Sequence, residues 1–212
     1  MDHEAKRARL ERVVATLVGE RLVGITYSDL PAEPPWARGW DFGDWHHAVM
    51  GVNLVLESGP ASITWTDTFE PYGLEVFRAP LAITFVSQDY SHVDTWDAGN
   101  HPEWRGRIGA SISAASLSWL HVETGPACRV SDGVQVRDGY EVDMPVGLRL
   151  DFGAAGARPV WFVAAVPNID EPDEAQVGWD EIMVVFAADK LRRLNFTDQP
   201  FLAGSDSPEV PR

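Results

Sequence analysis

Along HAVMGVNLVLES (residues 47–58) apolar side chains fall on every second position: Ala48, Met50, Val52, Leu54 and Leu56 share one face. That period of two is the signature of a strand with one buried side. The same alternation, bounded by Gly, Pro, Ser and Asp, recurs in 21–28, 61–67, 73–77, 81–86, 142–152, 158–166 and 180–187. Residues 106–124 (GRIGASISAASLSWLHVET) predict a long strand or a bent pair, because Gly and Ser loosen the run. One segment has a different period. Leu10, Val13, Val14, Leu17 and Val18 recur at helical spacing within 3–18, with Asp2 placed to cap the start and Gly19 to end it. Residues 187–194 predict a second, short helix, and 203–212 (AGSDSPEVPR) a frayed tail.

Two stretches resemble each other. Val52-Asn-Leu54-Val-Leu56-Glu-Ser-Gly59 matches Val146-Gly-Leu148-Arg-Leu150-Asp-Phe-Gly153, and each is followed by a short aromatic strand. The expectation is a single globular domain over 1–202, with a weak internal repeat of 19–86 and 104–166. Its class is α+β, mainly β: an antiparallel sandwich, barrel or strongly bent sheet of two similar β-rich halves, with an N-terminal amphipathic helix covering one side.

The connections carry the chemistry. Residues 40–47 read WDFGDWHH and 92–101 read HVDTWDAGNH, so both hold Trp-Asp-x-Gly, then Asp or Asn, with His close behind. The loops 29–47 and 87–104 hold Trp36, Trp40, Trp45, Trp96 and Trp104, and also His46, His47, His92 and His101. An Asp two residues before Gly suits a turn closed by its own carboxylate, and the rings suit packing over an open end of the core. A metal reading would use His92, Asp94, Asp97 and His101, but their spacing matches neither His-Glu-x-x-His nor a calcium loop, so no metal and no cofactor is expected. A cleft reading takes Trp40, Asp41, His46, Trp96, Asp97 and His101 as ligand-binding candidates. It requires the two loops to meet. With 21–28, 47–58, 61–67, 73–77 and 81–86 as successive strands, the loops follow the first and the fifth and share an end. If Ala79-Pro80 merely breaks one long strand, they separate.

Composition narrows the partners. The 212 residues carry 17 Lys+Arg against 32 Asp+Glu, a net charge of −15 that repels phosphate backbones and anionic lipid surfaces. No nucleic-acid or membrane partner is therefore expected. Lys6, Arg7, Arg9, Arg12 and Arg21 crowd the first 21 positions, so the remainder is more acidic still. The acidic stretch 168–181 (NIDEPDEAQVGWDE) offers Asp173, Glu174 and Trp179 as contacts for a basic protein. Its ordinary reading is a solvated loop. Lys6 and Lys190 are the only lysines among the 17 basic residues, which together with abundant Ala, Gly, Val and Pro suggests a GC-rich bacterial genome. Cys128 is the only cysteine, so no intramolecular disulfide forms, and a reducing cytoplasmic location is expected. No apolar run reaches membrane-span length, and MDHEAKRARLERVV lacks the apolar core of a signal peptide.

Walker, dinucleotide-binding and nucleophile-elbow motifs do not occur. Asp151-Phe152-Gly153 has no kinase context. The expected function is that of a soluble, acidic, intracellular interaction protein, inhibitor-like or immunity-like, acting by steric and electrostatic occlusion rather than as an enzyme. The alternative is an enzyme or small-ligand-binding protein with a cleft between the loops 29–47 and 87–104.

Overall fold

The computed structural model describes residues 2–29, 39–69, 72–85, 93–131, 133–154, 156–168, 171, 174–196 and 199–202. Mainly β, it holds two five-stranded antiparallel sheets and a small hairpin, preceded by one longer helix. That helix, α1 (His3–Ala15), starts at Asp2, whose carboxylate accepts the Ala5 N–H, and Leu10 and Val14 bury against the core. Leu17, in the turn that follows, is completely buried, whereas Val18 is exposed. Three basic residues of α1 contact the protein itself: Lys6 donates to the Thr68 carbonyl, Arg9 reaches the buried Glu75, and Arg7 lies over the Trp119 ring. No described helix is long and apolar enough to cross a membrane.

The first sheet has the order β5-β4-β3-β1-β6, from β1 (Leu22–Asp29), β3 (Gly51–Leu56), β4 (Gly59–Thr66), β5 (Gly73–Phe77) and β6 (Asp94–Asp97). The second has the order β2-β12-β11-β10-β7, from β2 (Trp45–His47), β7 (Ile112–Thr124), β10 (Tyr140–Phe152), β11 (Val160–Pro167) and β12 (Ala175–Val185). Both sheets are open, so the closed barrel among the expectations is excluded. β10 lies against β5, and β12 against β4 and β5, and one hydrophobic cluster draws on both sheets. The hairpin β8 (Ala127–Cys128) and β9 (Gln135–Arg137) projects from the long β7–β10 pair with Val134 and Val136 exposed.

Two sequence-predicted strands are corrected. Residues 47–58 are not continuous. β2 ends at His47 in the second sheet and β3 begins at Gly51 in the first, so the alternating pattern spans a crossing between layers. At the crossing the Gly51 N–H bonds the Ala48 carbonyl and Gly51 takes φ +131°, while a Cβ there would run into the Ile63 carbonyl. Only glycine fits that bend. Residues 81–86 hold the short helix α2 (Leu81–Phe85), because Asn53 accepts the first helical N–H, that of Leu81, at 2.7 Å and Pro80 precedes it. The short helices α3 (Pro102–Arg105), α4 (Ala188–Arg193) and α5 (Gln199–Leu202) complete the fold. The C-terminal tail expected at 203–212 lies outside the described residues.

The two sheets are laced together where β1 and β7 begin. The Gly19 N–H donates to Ile112 O at 2.8 Å and the Gly109 N–H to Leu22 O at 2.7 Å. The Leu22 N–H donates to Ala110 O at 2.9 Å and the Ile112 N–H to Glu20 O at 2.8 Å. Arg21 bridges Ser111 between them. Gly19 and Gly109 take nearly the same positive φ, +90° and +87°, each after a helical turn. This reciprocal junction fixes α3 beside β1 and so builds one wall of the site.

Candidate functional site

Residues 40–47 form a tight reversal. The Phe42 N–H bonds Trp45 O, the His47 N–H bonds Trp40 O, and Asp41 and His46 face each other as an isolated bridge. Asp41 accepts the Gly43 N–H at 2.9 Å and closes the turn. The second Trp-Asp-x-Gly stretch does the same, with the Gly99 N–H donating to Asp97 at 2.7 Å. There, however, Trp96 and Asp97 belong to the edge strand β6, whose register sets Trp96 opposite Tyr27. His101 caps α3, and its Nδ1 accepts the Glu103 N–H at 3.3 Å.

The two turns meet, though not for the reason that strand counting gives. β2 pairs with β12, β6 pairs with β1, and the cluster forms between these two sheet edges. The Trp40 ring lies 4.9 Å from His46, 5.6 Å from His101 and 6.0 Å from Trp96, and the His46 and His101 rings are 4.3 Å apart. Phe186, just past β12, closes the inner side at 4.6 Å from His46. His101 Nε2 lies 3.2 Å from Asp41 Oδ2, and His46 Nε2 lies 3.7 Å from Asp41 Oδ1.

A buried relay supports this cluster. The Trp104 indole N–H donates to the Tyr27 hydroxyl at 2.5 Å. An indole nitrogen cannot accept, so the Tyr27 proton goes to the other neighbour, His46 Nδ1, at 2.8 Å. Tyr27, His46 and Trp104 are all essentially inaccessible to solvent. The neutral His46 ring then carries its proton on Nε2, and that buried atom has no hydrogen-bond partner. The Trp96 indole nitrogen, in the same aromatic cluster, is also buried without one. Most buried polar groups in folded proteins are paired, so two orphans in one cluster stand out.

Burial pushes the His46 pKa down to about 3, the neighbouring His101 adds to this, and Asp41 opposes it. His46 is therefore neutral at pH 7. The Gly43 N–H, the His101 hydrogen bond and the two imidazoles hold the Asp41 carboxyl below its usual range. Burial raises the Tyr27 pKa well above that of a free phenol, so its proton stays in the relay. As an acid–base group His46 is far from the operating range of a catalyst at neutral pH, and its Nδ1 lone pair is already engaged.

The other candidates separate from this group. Asp97 is exposed and bonds Gly99 within its own turn. Asp94 is exposed at the start of β6, and His92 lies outside the described residues. His47 turns away from its neighbour to Glu181, at 2.7 Å. Glu174 is exposed, Trp179 on β12 is 46% exposed, and Asp173 lies outside the described residues. Tyr27 and Phe186 were not among the sequence candidates. A tyrosine on the apolar face of a strand was the available signal, since a buried hydroxyl must find a partner. A separate groove of about 370 Å³ opens between β7, β10, β12 and the segment after α4, lined by Trp119, Val146, Val177 and Phe196.

Comparison with known proteins finds no matching family model, no matching curated protein and no matching solved structure.

Proposed function

We propose that the chain is a ligand-binding protein whose site is the cluster of Trp40, Asp41, His46, Trp96 and His101, between the loops 29–47 and 87–104. One observation carries this reading: two buried ring nitrogens, His46 Nε2 and Trp96 Nε1, lack partners in the same cluster. Burying a polar group unpaired costs about 1–3 kcal/mol, and a purely structural cluster has no reason to bear that cost twice. Partly exposed Trp40 and His101 and the exposed Asp41 form the rim through which a ligand reaches them. Recognition suits this chemistry better than acid–base catalysis, because His46 stays neutral and its Nδ1 is engaged by Tyr27.

The test is a ¹⁵N NMR titration of the full chain with acetate, N-acetylglucosamine, a blocked alanine dipeptide and divalent metal ions. The Trp96 indole or His46 ring signals should move and saturate for at least one of them. The Trp161 indole, already bonded to the Phe201 carbonyl, should stay fixed. If no organic compound or metal ion moves the cluster signals, the reading fails.

The fold consistent with this reading is a two-layer sandwich of two similar halves, a proposal supported by the reciprocal hydrogen bonds between Gly19–Leu22 and Gly109–Ile112. A second functional reading, the inhibitor-like or immunity-like interaction protein, is favoured by the exposed Trp179, a large ring in solvent near the acidic residues Glu174 and Asp180 on a chain of net charge −15. It requires that a basic protein co-purify with the chain from its source cell and be lost on Trp179→Ala. Equal recovery with the variant would refute the role given to Trp179.

A further inference from the structure

We propose that Asp41, His46 and His101 form a binding site for a divalent transition-metal ion of the zinc type. The inference rests on the ligand-binding reading and gives the ligand its chemical class. Two imidazoles and a carboxylate are a donor set that zinc, iron or manganese accepts. The spacing fits as well. Bonds of about 2.0–2.2 Å in a tetrahedron separate neighbouring donors by roughly 3.3–3.6 Å. Here Asp41 Oδ2 stands 3.2 Å from His101 Nε2, the other carboxylate oxygen, Oδ1, stands 3.7 Å from His46 Nε2, and one donor atom from each residue lies within 4.8 Å of the other two.

The unpartnered His46 Nε2 is the second, independent sign, because it is wholly buried and faces the other two donors. A metal at that atom moves the ring proton to Nδ1, which then donates to the Tyr27 oxygen; that oxygen still accepts from Trp104, and its own proton turns away from the ring. Tyr27 then plays the orienting part that partners of metal-bound histidines play. Asp41 divides its work: Oδ1 remains bonded to the Gly43 N–H and Oδ2 is turned towards His101. His101 has to release the Glu103 N–H, a long bond at 3.3 Å, to carry its own proton on Nδ1. Three protein donors leave at least one coordination position for water or for an atom of a further ligand, as in zinc sites that meet a substrate rather than purely structural ones. The sequence-based set of His92, Asp94, Asp97 and His101 is thus replaced by a set that shares only His101 with it.

The experiment uses the full chain, freed of metal by chelator, titrated with zinc chloride alone by calorimetry, and with cobalt(II) followed by visible absorption. The expected result is one zinc per chain at micromolar affinity or tighter, visible cobalt bands, and a His46 proton that moves from Nε2 to Nδ1. Asp41→Asn and His101→Gln, both at the exposed rim, should each weaken zinc at least tenfold while keeping the native circular dichroism. His121→Gln, on the exposed His121–Asp143 pair, should leave affinity unchanged. His46→Gln should abolish binding, and the two rim variants decide the matter if it fails to fold. Absence of stoichiometric zinc, or zinc held equally by Asp41→Asn and His101→Gln, would overturn the metal assignment. If the organic compounds still move Trp96 and His46, the ligand site survives without the metal. If nothing does, both readings fall.

Discussion

Tyr27→Phe removes one oxygen from the centre of the molecule and strands two groups that depend on it. The Trp104 indole N–H, 2.5 Å from that oxygen, loses its acceptor, and His46 Nδ1, at 2.8 Å, loses its donor. Neither group reaches water, since both residues are fully buried. Each stranded group costs about 1–3 kcal/mol, so Tyr27→Phe should lose about 2–6 kcal/mol of unfolding free energy with almost no change in packed volume. Urea denaturation of wild type and variant, followed by circular dichroism, measures the difference. Pairing Tyr27→Phe with Trp104→Phe sharpens the test. Once the indole N–H is gone, removing the hydroxyl strands one group fewer. The double variant should therefore lose less than the sum of the single losses, by about 1–3 kcal/mol. A Tyr27→Phe loss below 1 kcal/mol, or strict additivity in the pair, would refute the relay.

Leu17→Ala should cost about 2–4 kcal/mol in the same assay, because Leu17 is completely buried under the end of α1; a loss under 1 kcal/mol would mean that α1 does not dock as described. Asp97→Ala should cost only about 0.5–1.5 kcal/mol, since the carboxylate is exposed and its N–H partner Gly99 is only half-buried; a larger loss would place Asp97 in the core of the site. In metal-free protein, stability should fall as pH drops from about 6.5 towards 3. Over that window the unfolded chain protonates His46 and the folded chain does not, a slope of at most about 1.4 kcal/mol per pH unit. His46→Gln should flatten that part of the profile, and an unchanged slope would show that His46 is not held neutral.

Much of the β framework is legible because alternation is a local signal. β1, β4, β5, β10 and β11 fall within two residues of their sequence-read limits. The misread stretches are those where a local pattern serves a non-local purpose. The alternation of 47–58 runs across the crossing from β2 to β3, although residues 47–52 are all buried there; only the Gly51 backbone marks the break. The period-two signal is equally blind to register. The sequence match sets Leu54 against Leu148. Strand pairing puts Leu54 opposite Ile25 and Leu150 opposite Ala115, and if the two stretches are repeats, counting from the junction sets Ile25 against Ala115. A shift of two residues keeps every side chain on its face, so no pattern could detect it. The site is half legible for a similar reason. Trp40, Asp41, His46, Trp96 and His101 announce themselves by residue type. The metal-ligating pattern does not, because Asp41 and His46 are joined to His101 by folding and not by spacing. Tyr27 and Phe186 look like ordinary strand residues.

The reciprocal junction also bears on how a lopsided site would arise were the fold a duplicated one. If the two halves descend from one unit that once paired with a copy of itself, each side chain of that ancestor occurred twice. Fusion into a single polypeptide frees the copies to drift apart. Counting outward from Gly19 and Gly109, Val14 stands where the second half has Trp104, and Glu11 where it has His101. On that descent, one copy of the turn would have become a docking helix and the other a wall of the pocket. A chain cut between β5 and β6 would give two fragments, each with a strand start whose N–H and carbonyl groups pair with the other. Their reassembly in a test tube would restore the cluster once, on one side only.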